Sequence, residues 1–175
     1  MMSFKELAQK RRSIRTFTEQ TISDEQRRQL MTVALMSPTG KNCRAWDFVM
    51  VDDTETLKTL SECKEHGAQL IAGAPLAVVV AVDKDASETW VEDASVAATM
   101  LMLQAEDMGL GSCWVEVAGR QKADGTEAED VVRQTLGIPE NYGVLARVAV
   151  GYKAQERNLQ NEDKLLWNKV HVNKW

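Results

Sequence analysis

Helices combined with a sheet, in an α+β or mixed α/β arrangement, are what this 175-residue sequence predicts, and three observations carry the prediction. Segments with apolar residues three and four apart alternate loosely with short apolar runs. From Leu76 to Val82 every residue is apolar without alternation, the pattern of a strand covered on both faces. From about Glu88 to Met108, the residues Ala94, Ala97, Ala98, Leu101, Ala105 and Met108 recur at helical spacing over roughly 30 Å, the width of a small domain.

Ser3 with Glu6 is a capping-box pair, and Phe4, Leu7 and Ala8 give a short amphipathic helix that runs out near Arg11 or Arg12. Ser23 with Gln26 repeats the signature, and Leu30, Val33 and Ala34 carry a second helix to about Met36. It stops at Ser37, where the following Pro38 disfavours helix. SPTGKNCRA is a loop by composition, WDFVMV is a strand, and Leu57 and Leu60 face inward from a third helix reaching about His66. GAPLAVVVAVD is the central strand. The long helix after it is rich in alanine and methionine, as suits close packing against another helix of this chain or of a second subunit, and Gly109 is its stop. SCWVEV is a further strand, Thr126 with Glu129 caps a helix through Val131, Val132 and Leu136 to Gly137, and LARVAVGY is the last strand. Beyond Lys153 the chain turns polar but keeps Trp167, Val170, Val172 and Trp175 as anchors, so a wrapping tail is expected.

A single domain of this length buries a sufficient core without disulfides or metal. Its formal net charge of -5 argues against nucleic acid as a partner, which takes a basic face. Cys43, Cys63 and Cys113 lack C-x-x-C spacing, and His66 and His171 stand far apart, so a reduced, cytoplasmic protein is expected rather than a zinc or disulfide framework. MMSFKELAQKRR has no signal-peptide apolar run, and no apolar stretch is long enough to span a membrane.

Motifs narrow the chemistry mostly by exclusion. In GLGSCW, Gly109 and Gly111 match the start of a dinucleotide fingerprint, but Trp114 stands where the third glycine belongs, and the order is helix, glycines, strand. No G-x-S-x-G is present, Cys113 reads as a buried, inert thiol, and Glu92 and Asp93 read as a solvated helix face. Three arginines in RRSIR, at positions 11 to 15 of an acidic chain, need more than a helix end to explain them. Helix polarity accounts for Arg11 and Arg12, whereas Ser13 and Arg15 continue the donors past the end. Three guanidiniums and a hydroxyl suit a phosphate monoester.

RRSIRTF, SPTGKNCRAWDFVMV, GAPLAVVVAV, DASVAATMLMLQAEDMGLGSCW and LGIPENYGVLARVAVGY, in this order, resemble the FMN-dependent nitroreductase family in its short form. The resemblance covers most of residues 4 to 152. It implies an α+β fold with a mixed sheet flanked by helices, residues 1–152 forming the FMN-binding domain and residues 153–175 an extension that embraces the partner of an intertwined homodimer. Carried over, Arg11, Arg12 and Ser13 hold the FMN phosphate and ribityl chain, and Arg15 faces the pyrimidine edge of the flavin, stabilising its reduced form. Pro38, Thr39, Gly40 and Asn42 match the loop that reaches the flavin from the other subunit. Ser112, Cys113, Trp114, Val115 and Glu116 match the segment packed on the flavin, with a backbone N–H near Val115 or Glu116 meeting N5.

The chain departs from the family at Arg44-Ala45-Trp46, where Gln-Pro usually precedes the Trp, and after Tyr152, where only Lys153 and Arg157 are candidates for the phosphate. The resemblance implies hydride transfer from NADH or NADPH through FMN to a small aromatic acceptor such as a nitroaromatic or quinone, in ping-pong fashion. The flavin carries the chemistry, so no side chain is expected to be catalytic and no metal is expected. Flavin destruction, dehalogenation and ring dehydrogenation on the same fold are the alternatives, followed by a module that stores or senses FMN.

Overall fold

Seven consecutive apolar residues belong where both faces of a sheet are covered, and this requirement organises the chain. The computed structural model describes residues 2–175. Four strands, β1 (Trp46–Val51), β2 (Leu76–Asp83), β3 (Gly111–Glu116) and β4 (Tyr142–Gly151), form one sheet in the order β1-β2-β4-β3. The apolar run in β2 lies at 0–1% exposure, flanked by β1 and β4.

Five helices cover the sheet: α1 (Phe4–Lys10), α2 (Asp24–Leu35), α3 (Thr54–Ser61), α4 (Trp90–Asp107) and α5 (Ala128–Leu136). Leu76, Val78, Val80 and Val82 of β2 meet α2 and α4, whereas Ala77, Val79 and Ala81 meet α3 and α5. The alternation of side chains along one strand thus divides a continuous apolar run between two cores. Ala94, Ala97, Ala98 and Ala105 are fully buried on α4, and α2 is the neighbouring helix against which this face packs.

Both expected capping boxes, Ser3 with Glu6 and Ser23 with Gln26, form as read. Three expectations are corrected. The sheet is antiparallel across all its strand pairs rather than mixed, its parallel component being a single bridge from Ser13 to Ser112. Helix α3 ends at Ser61, not near His66. The Leu60 carbonyl that would extend it accepts instead from Cys63 N at 3.2 Å and from Arg147 Nη1 of β4. Helix α5 begins after Glu127 without a side-chain cap. Glu129 is drawn from the expected Thr126 box to the Val144 amide, 2.9 Å away, beside the β2–β4 register shift.

Arg147 is a fully buried cation whose Nε and Nη2 find no acceptor among the described residues. Burial lowers its affinity for its proton, while Cys63 alongside opposes the shift. An incompletely satisfied buried charge is commonly no more stabilising than an apolar side chain of similar size. Arg147→Met is therefore expected to leave urea-unfolding stability unchanged or raise it by about 1–4 kcal/mol. A loss beyond about 2 kcal/mol would show that the Leu60 carbonyl bond outweighs the desolvation cost.

Candidate functional site

The RRSIR cluster lies where α1 hands over to the sheet edge. Arg11 is the C-cap of α1 in extended conformation, its N–H donating to Leu7 O at 2.9 Å. The extended chain continues to β3, where Ile14 N donates to Ser112 O at 2.9 Å. Ile14 is buried beside Gly111, and alternation turns Ser13 and Arg15 to the opposite side. A Cβ on Gly111 would stand 2.8 Å from that of Ile14, so the glycine permits the close approach.

Arg11, Arg12, Ser13 and Arg15 face a cavity of about 270 Å³ completed by Arg157 and Gln160. None of these four arginines forms an ion pair among the described residues, although Arg27, Arg28 and Arg133 all do. Four guanidiniums without ion-pair partners around one cavity are the chemistry that suits an anion, since their forks match phosphate or carboxylate oxygens. The tail closes the cavity from the far side. Gln160 N donates to Gln9 O at 3.0 Å, its side chain donates to Ala8 O at 3.2 Å, and Arg12 Nη1 donates to Asn158 O.

A second cavity of about 560 Å³ shares Arg11, Ser13 and Gln160 with the first and is otherwise bordered by Phe4, Ala8, Thr99, Met102, Leu103 and Trp114. The two together present a cationic end and an apolar, aromatic stretch. Trp114 is held by its own strand, since Nε1 donates to Glu116 Oε2 at 2.6 Å. Ser112, Cys113 and Val115 lie behind this surface, each 2% exposed. Burial pushes the Cys113 thiol up, against the pull of Arg15, Ser13 and Arg11.

Lys153 and Arg157, the two tail cations expected at the phosphate, separate sharply. Lys153 Nζ donates to Glu106 Oε1 at 2.7 Å, beneath a carboxyl that is 2% exposed, and does not line the cationic cavity. Arg157 lines it. The Pro38, Thr39, Gly40 and Asn42 loop lies elsewhere in the chain, against a cavity lined by Gly40, Lys41, Cys43 and residues 85–89. Arg44, like Lys41 and Asn42, has positive φ, and its Nε donates to Asn42 Oδ1 at 3.1 Å.

Asp93 corrects the reading of a solvated face, for its carboxylate is 4% exposed, turned back toward this loop. Glu92 beside it is exposed as expected. The hydroxyls at Ser87 and Thr89 signalled in the sequence that donors cluster before the helix. Gln160 was legible from no motif, because its role comes from the tail folding back on α1.

Gly111→Ala forces Ile14 away from β3 and with it the Ser13 bridge. The substitution should lower stability by about 1–3 kcal/mol, read by urea unfolding. Because the clash is with Ile14 Cβ, Cγ1 and Cγ2, Ile14→Ala should cost less in the Gly111→Ala background than on its own, a coupling read by a double-mutant cycle.

The chain is similar to known proteins over most of its length. The model of the nitroreductase family matches residues 8–65 and 59–152. A protein of Archaeoglobus fulgidus, provisionally named NADH dehydrogenase/NAD(P)H nitroreductase, is 35% identical over 170 residues, covering 94% of each chain. Among solved structures, an FMN-dependent nitroreductase of Clostridium difficile superposes with a TM-score of 0.94 at 38% identity, over 97% of this chain and 98% of that one. A protein of Parabacteroides distasonis, provisionally named as the Archaeoglobus one is, superposes with a TM-score of 0.89 at 28% identity, over 98% of each chain.

Proposed function

The chain belongs to the nitroreductase family, an oxidoreductase of the FMN- and NAD(P)H-dependent type, and on that premise we propose that it passes hydride from NADH or NADPH to nitroaromatic or quinone acceptors in two half-reactions. The observation that carries the reading is the cavity bounded by four unpaired arginines and opening onto an apolar one. A phosphate monoester attached to a planar ring system is the ligand class with these two ends. FMN fits it.

Arg11, Arg12, Ser13 and Arg157 would hold the phosphate; Arg15 lines the same cavity and, as the family resemblance implies, would face the ring, where a cation favours the reduced, anionic flavin. Lys153 is left to neutralise Glu106. Ser112 to Glu116 form the wall behind the ring, with Trp114 fixed by Glu116. Bound FMN supplies the hydride chemistry; the protein supplies charge, stacking surface and exclusion of water.

The unit we propose is a homodimer. Leu159, Leu166, Trp167, Val170, Val172 and Trp175 in the tail are each 59% or more exposed, an apolar load that a second copy of the chain would cover. In such a dimer residues 153–175 embrace the partner, and Pro38, Thr39, Gly40 and Asn42 reach the partner's flavin. Among the described residues no helix is long and apolar enough to cross a membrane.

Purified protein incubated with FMN and desalted should stay yellow and elute as a dimer. Anaerobic NADH or NADPH should bleach it, and a quinone or nitroaromatic should restore the colour. A colourless protein after desalting would overturn the reading, and a yellow one that neither nucleotide bleaches would point to storage. Arg11→Ala should weaken FMN binding by about 1.5–3 kcal/mol, the worth of a charge-assisted contact, read by flavin fluorescence titration. Arg157→Ala should weaken it comparably.

A further inference from the structure

Asp93 is a buried carboxylate with no cation beside it. Among the described residues neither Lys nor Arg forms an ion pair with it. Its charge is met instead by neutral donors: Ser87 Oγ at 2.6 Å, Gly40 N at 2.8 Å, Thr89 Oγ1 at 3.4 Å and Cys43 Sγ at 3.6 Å. Burial raises the carboxyl's pKa, but the bonds from Ser87, Gly40, Cys43 and Thr89 outweigh it and hold the group below its ordinary value.

Two of these donors, Gly40 and Cys43, belong to a loop in an uncommon conformation. Lys41, Asn42 and Arg44 all lie in the left-handed region, at φ 51, 55 and 50, where non-glycine side chains are disfavoured. Backbone of this kind persists only where surrounding contacts over-determine it. At Gly40 a Cβ would come within 2.2 Å of Thr89 Oγ1, so loop and helix start are in close contact there. Thr39 Oγ1, accepting from Arg44 N at 3.0 Å, closes the loop on itself. At the start of α4 Thr89 is the N-cap without a side-chain capping bond, and Asp93 N donates to Thr89 O at 2.9 Å as the first helical bond. The carboxylate thus joins two segments: Ser87 and Thr89 belong to the turn that enters α4, and Gly40 and Cys43 to the loop.

We propose that Asp93 is a positioning residue for the reaction, a buried anionic latch that holds the Thr39–Arg44 loop in the left-handed shape with which it meets the cofactor of the partner subunit. The inference rests on the reading of this loop as a cofactor contact. Asp93 itself touches neither FMN nor substrate. Through Gly40 and Cys43 it sets where Thr39 and Asn42 stand.

Asp93→Asn retains an acceptor for Gly40 and removes the charge that collects the other donors. In the apoprotein, trypsin cleavage after Lys41 or Arg44 should accelerate about tenfold over the unsubstituted chain, with cleavage after Lys169 and Lys174 unchanged. In fluorescence titrations the variant should bind FMN about tenfold more weakly, its melting temperature falling by only a few degrees. Ser87→Ala, which removes one donor, should move both readouts in the same direction by a smaller factor and serves if Asp93→Asn does not fold. Unchanged loop cleavage overturns the latch whatever happens to the flavin. Faster cleavage with unaltered FMN affinity overturns its link to the cofactor, and a lowered melting temperature with neither effect assigns Asp93 a purely structural role. Failure of the unsubstituted protein to bind FMN would instead sink the reading of the site, which the apoprotein cleavage distinguishes.

Discussion

The main-chain bond from Ile14 N to Ser112 O ties the arginine cluster to the sheet, and the rest of the site depends on it. Before it, α1 must end, because Arg11 is already extended. After it, Thr18 N meets Tyr152 O at 2.9 Å and Ala154 N meets Thr16 O at 3.1 Å, so the cluster's own continuation captures the end of β4. The tail is thereby launched back across α1, where Arg12 and Gln9 receive it. Gly111 is the enabling detail, since any side chain there would collide with Ile14.

Three buried charges show three different solutions to one physical problem. Glu106 is neutralised by Lys153, a pair whose loss of either member strands a charge in low dielectric. Asp93 is surrounded by neutral donors, and Arg147 has the Leu60 carbonyl as acceptor and two nitrogens, Nε and Nη2, without one among the described residues. The arginines around the cationic cavity are the inverse case: Arg11 and Arg12 are half-buried, Arg15 and Arg157 are exposed, and none has a carboxylate partner among the described residues.

Much of the architecture was legible because it follows from local chemistry. Capping boxes at Ser3 and Ser23 depend on residues three apart, and the unbroken run in β2 depends only on where apolar groups must go. Gly137, in the left-handed region at φ 67, ends α5 as read. The errors arose where a distant group won the competition for a backbone atom. Arg147 took the carbonyl that would have continued α3, and the Val144 amide took the carboxylate that would have capped α5. Asp93 was misread because helical periodicity does not say which way a carboxylate near a helix start turns.

By itself the sequence determined which segments are helix and strand, that RRSIR carries more donors than a helix end uses, and to which family the ordered motifs point. These are properties of neighbours along the chain. Only the tertiary structure decided that Arg157 joins the cradle while Lys153 is consumed by Glu106, and that Asp93 grips a loop some fifty residues earlier. It also decided that the sheet runs antiparallel throughout. The physical reason is shared. A charge or a hydrogen-bonding group acts over a few ångströms of space, and the group that satisfies it is chosen by packing rather than by sequence distance.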